Sequence, residues 1–219
     1  MKRLSLAAVL ACAALSIVLS VAVASPASAA VLPEFTVETN LTATFGTSKL
    51  NTSGAEIKST EGVFNDSEVE SKKLGKGLIW FKLSSLGGKE CHSTSPSDTE
   101  GNILVPVIWH LVHPKGSTIY LILFLVKATT ISCKFLATKV EVLEGSTILG
   151  RITGTGKTTS FKLEVNVPEG KQEFTSYEND AGETISTELK LKVDGVSAKG
   201  TQEDQAATIT TEKATELIN

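Results

Sequence analysis

Past residue 30 the sequence offers no convincing stretch of ten residues with the 3.6-residue apolar period of a helix. That argues against folds built on helices. A cationic excess is also missing. Lys and Arg number 21 against 24 Asp and Glu, a formal net charge of −3. Such a chain has no general attraction for nucleic acid or for anionic membrane. Motifs of common chemistries are absent as well: there is no G-x-S-x-G elbow and no H-x-x-E element. Histidine is scarce, with only His92, His110 and His113. The last two form an H-x-x-H pair. Positions three apart on a strand face opposite ways, and no acidic third ligand is near, so no metal site is expected.

What is present begins with "MKRLSLAAVLACAALSIVLSVAVASPASAA". Lys2 and Arg3 precede an uncharged, largely apolar run from Leu4 to Ala24, and "SPASAA" follows. This is the pattern of a secretory signal peptide over residues 1–29, cut after Ala29 or Ala30. The run is long enough to span a bilayer, so a retained anchor is the rival reading. Pro26 and the small residues favour cleavage. A lipid-modified Cys12 is disfavoured, because the apolar run continues well beyond it. Cleavage leaves residues 30–219 as a single β-rich domain and takes the net charge from −3 to −5 by removing Lys2 and Arg3.

Two of the three cysteines then remain, Cys91 and Cys133. An even pair in an exported chain reads as one disulfide. The loop it closes is worth about 4 kcal/mol in the chain-entropy model.

The rest of the chain is rich in short alternating segments. "FTVETNLTATF" (35–45) puts Phe35, Val37 and Thr39 on one face. "AEIKST", "GLIWFKLSSL" (77–86), "TKVEVLE" (138–144), "SFKLEVNV" (160–167) and "ELKLKVDGV" (188–196) read as further half-buried strands. Gly, Asn, Asp, Pro and Ser clusters separate them. The expected fold is all-β, an antiparallel sandwich or barrel after an N-terminal signal helix. Two nearly continuous apolar runs, Ile103 to Val112 and Ile119 to Val126, read as a hairpin buried on both faces, with "HPKGST" as its turn. A membrane-inserting or partner-binding hairpin is the alternative, but membrane strands alternate and these runs do not.

"GRITGTGKTTSF" (150–161) imitates a phosphate-binding loop. The motif needs its first glycine at position 151, where Arg151 stands, and a helix after it. An alternating strand follows instead. The reading is a β-turn, with no nucleotide and no cofactor expected. The acids Glu173, Glu178, Asp180, Glu183 and Glu188 could supply a glycosidase pair, but solvated strand faces account for them equally. Trp80, Trp109, Tyr120 and Tyr177 could stack on sugars, although core packing is the default for those in apolar runs. Asn40, Asn51 and Asn65 lie in glycosylation sequons.

Several segments carry a resemblance. They are "LPEF" after the cleavage site, "CHS" at 91–93, "CKF" at 133–135, "VEVLEGSTILGRIT" at 140–153, "EGKQ" at 169–172 and the acidic, Thr-rich end. Together they resemble a family of secreted, β-rich proteins of high-GC Gram-positive, actinobacterial-type bacteria that carries no established activity. The resemblance implies export and β structure and transfers no catalytic residue. The central runs here are more apolar than that family's usual pattern. The expectation is an exported structural or binding protein of the cell envelope or medium, not an enzyme, with an extracellular or envelope ligand and no nucleic acid. A secreted glycan-directed hydrolase and a membrane-engaging hairpin protein are the alternatives.

Overall fold

The computed structural model describes residues 30–52, 54–98, 100–165 and 171–219. The expected signal segment lies outside them, as does Val167. The described residues form β-strands and no helix. Eight strands close an antiparallel barrel. In circuit order they are β14 (Thr158–Val165), β13 (Ser146–Thr153), β10 (Leu121–Val126), β9 (Asn102–Val112), β6 (Leu74–Lys82), β5 (Glu61–Ser71), β2 (Leu41–Phe45) and β18 (Val196–Thr215), with β18 pairing back to β14. Closure removes the exposed edges that an open sheet would present.

β18 is twenty residues long and serves two circuits. Its later part pairs with β2 and β14. Its earlier part pairs with β17 (Leu189–Val193) and β3 (Ser48–Thr52). From β17 the second circuit continues through β12 (Lys139–Val142), β11 (Thr129–Cys133), β8 (Lys89–Ser95), β7 (Ser85–Leu86) and β4 (Ala55–Ser59) to β3. Phe64, Trp109 and Ile209 of the barrel and Ile57, Ile131 and Leu191 of the second circuit belong to one continuous core. The protein is therefore a single β domain, and its barrel closes the choice between sandwich and barrel.

Glycine lets aromatic rings lie flat on the barrel wall. A Cβ on Gly75 of β6 would come within 2.6 Å of Trp109 Nε1 and 2.7 Å of the Glu68 carbonyl. Gly77 makes the same room for the ring of Phe64. Trp109, fully buried, donates from Nε1 to Asp66 Oδ1 at 3.2 Å.

The central runs are the β9–β10 hairpin, with its turn over residues 113–120. The expectation of burial on both faces holds for β10 and needs correction for β9. In β10, Ile122, Phe124 and Val126 point into the main core, while Leu121 and Leu123 pack outside with Val112 and Leu149 under Phe174 and Tyr177. Tyr177 comes from the outer hairpin of β15 (Ser176–Glu178) and β16 (Thr184–Ser186). β9 instead alternates. Ile103, Val105, Val107, Trp109 and Leu111 are buried, and the residues between them are half-buried.

Two further segments divide where one strand was expected. Residues 35–45 split into β1 (Glu34–Phe35) and β2, because Thr36 N donates to Glu216 O and Lys213 N donates to Thr39 Oγ1, which bends the chain across the barrel end. Residues 77–86 break at Leu83, whose φ is 50°.

β1 pairs with β19 (Leu217–Ile218), so the first and last strands of the described residues meet. The N-terminal segment plugs that end of the barrel. Phe35 is buried against Phe161 and Trp109, with ring centroids 5.4 and 6.5 Å away. Ala30 N donates to Asp180 O at 3.3 Å. Both ring nitrogens of His113 face carbonyl oxygens, Nδ1 that of Pro114 at 2.9 Å and Nε2 that of Val31 at 3.1 Å.

Candidate functional site

Cys91 and Cys133 face each other across the β8–β11 pair and form a disulfide with a Cα–Cα distance of 4.0 Å. Both are buried, in the same core as Ile131 and Val140. The crosslink thus ties neighbouring strands of the second circuit, which flank the β9–β10 hairpin in sequence.

Inside the molecule two small voids lie side by side. One measures about 40 Å³ and is lined mainly by Ile, Leu, Val and Phe side chains. The other measures about 20 Å³ and shares Ile79, Phe81, Ile148 and Gln202 with the first. Pockets that take drug-sized ligands are roughly ten times larger. This barrel is filled by its own side chains, as small eight-stranded barrels are.

A half-buried ionisable group borders this apolar interior. Asp204 of β18 lines the smaller void, paired across strands with Ser48 and Val165. Burial pushes its carboxyl up to about 6, against a hydrogen bond from Gln202 that favours the charged form. Gln202 Nε2 donates to Asp204 Oδ1 at 2.6 Å. Sequence reading had missed this group. "GTQEDQAAT" looks like a solvated turn, and no local signal says which acid faces inward.

The residues singled out from sequence do not converge. His110 lies on the outer side of β9, where burial lowers its pKa. His113 sits beyond the strand end with Glu178 Oε2 at 3.6 Å, and His92 lies on β8. Among the described residues no group of three His, Cys, Asp or Glu side chains is gathered for a metal ion. Each acid of the outer hairpin region has a neighbour. Glu173 pairs with Arg151, Asp180 with Lys73 at 2.6 Å, and Glu188 with Lys199 at 3.2 Å. Glu183 accepts from Asn179 Nδ2 at 3.0 Å. Of the four aromatic candidates, Trp109 is in the core, Tyr120 packs against it, Tyr177 covers the barrel wall, and Trp80 is exposed on β6.

Residues 150–161 form the β13–β14 hairpin. Gly154 to Lys157 turns between the strands, with Gly156 at a φ of 60°, and β14 follows where a phosphate loop would open a helix. No family model, no curated protein and no solved structure matches this chain.

Proposed function

We propose that this is an exported β-barrel protein of the cell envelope or extracellular medium, with a structural or binding role and no catalytic centre. The observation that carries the reading is the buried Cys91–Cys133 bond, since such crosslinks persist where the compartment is oxidising. The N-terminal plug agrees with it. The residues just after the expected cleavage bond are built into the fold, from the Ala30–Asp180 hydrogen bond to the buried side chains of Leu32 and Phe35. The resemblance of its short motifs to secreted actinobacterial-type proteins points the same way.

N-terminal sequencing of protein recovered from the medium tests the reading. The chain should begin at Ala30 or Val31, with no free thiol by mass spectrometry. Full-length protein confined to the membrane fraction, or two free thiols in the exported form, overturns it.

A further inference from the structure

The hairpins β3–β4, β7–β8, β11–β12 and β17–β18 are neighbours around the second circuit, and each is antiparallel to the next. Their four turns therefore fall at one end of that circuit. Three are built on glycine in left-handed backbone: Gly54, the pair Gly87 and Gly88, and Gly195. The fourth is not. Leu136 N donates to Cys133 O at 3.2 Å, closing a turn whose third residue is Phe135, with a φ of 59°. That position suits glycine or asparagine, and a phenylalanine there is strained.

The same side chain is 93% exposed. Leu136 beside it is 36% exposed, and Val196, just after the Asp194–Gly195 turn, is 70% exposed. Neither the strain nor the exposure adds to the core, which marks this turn as a candidate site for a contact outside the chain. Lys89, in the adjoining β7–β8 hairpin, places Nζ 5.9 Å from the Phe135 ring centroid and has no carboxylate partner among the described residues.

We infer that this end of the second circuit is a membrane-docking tip, in which Phe135, Leu136 and Val196 enter the interface of a bilayer and Lys89 lies at its headgroups. A bilayer fits better than a folded partner for two reasons. The apolar side chains stand on convex turns, which a fluid interface accepts without a preformed pocket. An unpaired lysine beside an aromatic ring also suits the boundary between acyl chains and anionic headgroups. The tip is unobstructed by the N-terminal plug, because β18 runs from Val196 here to Thr215 at the plugged end, about 65 Å of strand along its path.

Sedimentation with vesicles tests this, one set of phosphatidylcholine alone and one with a quarter phosphatidylglycerol. The protein should bind both, the anionic set more tightly. Phe135→Gly should weaken binding by about tenfold to a hundredfold while its melting temperature holds or rises, because glycine relieves the left-handed turn. In Phe135→Trp the added emission should shift to the blue on mixing, which reports on position 135 whatever residues 1–29 do. Three results overturn the proposal: no binding to either vesicle, equal binding by Phe135→Gly, or no shift in Phe135→Trp. Failure to bind either vesicle would leave a pocket on another protein as the tip's partner.

Discussion

Asp204 is the residue whose chemistry departs furthest from its place in the sequence. Its carboxyl titrates near 6 in the fold and near 3.8 when the chain is open, because burial disfavours the charged form. The unfolded chain therefore gives up its proton first as pH rises. The stability that the protonated group confers is fully present below about 4 and is lost as pH climbs through about 6, on the order of 3 kcal/mol in all. Asp66 shifts the same way and Asp180 the other way, so the wild-type curve alone does not isolate Asp204. The difference from a variant does. Asp204→Asn keeps an acceptor for Gln202 and removes the charge. Its melting temperature should match the wild type near pH 4 and exceed it by several degrees at pH 7. Parallel curves from pH 4 to 7 would show that the carboxyl titrates normally.

Among the elements, legibility followed the size of the inward side chains. In β12 and β14 the buried positions are Val140 and Val142, then Phe161, Leu163 and Val165, and the period of two is plain. The inward positions of β5 include Gly62, and those of β6 include Gly75 and Gly77, because aromatic rings from adjacent strands fill the space. Glycine contributes nothing to an apolar count, so β5 left no trace and β6 was visible only from Gly77 onward. β18 shows alternation in Ala207, Ile209 and Thr211, too short a window to reveal twenty residues of strand. The disulfide was legible from cysteine parity once the opening residues were read as an export signal. Its position across adjacent strands β8 and β11 was not, because β8 has no apolar pattern beyond Cys91 itself. The element-scale test follows from that position. Cys91→Ala with Cys133→Ala should cost about 4 kcal/mol by loop closure, roughly 8–16 °C for a domain of this size. Reducing the wild type should give the same loss, and reductant should leave the double variant unchanged. A double variant that melts with the wild type would remove the crosslink from the stability of the fold.

At the scale of the molecule, the long strand decides how the protein comes apart. The two circuits have no boundary where few contacts cross. They share β18, and their side chains merge in one core that runs from Phe35 and Trp109 to Ile131 and Leu191. Opening the second circuit would strip β18 of β17 and β3 and expose the lining of the larger void, including Ile57 and Ile131, while leaving the barrel with a half-solvated strand. Neither half can unfold without uncovering the other's apolar surface, which is the condition for all-or-none behaviour. Native-state hydrogen exchange should then give the buried amides of β9 and β10 in the barrel and of β11 and β12 in the second circuit the same opening free energy. That value should equal the one from denaturant melting. Protection in β11 and β12 that falls several kcal/mol below that of β9 and β10 would mean that the second circuit opens on its own, and that β18 is a hinge between two units rather than the spine of one.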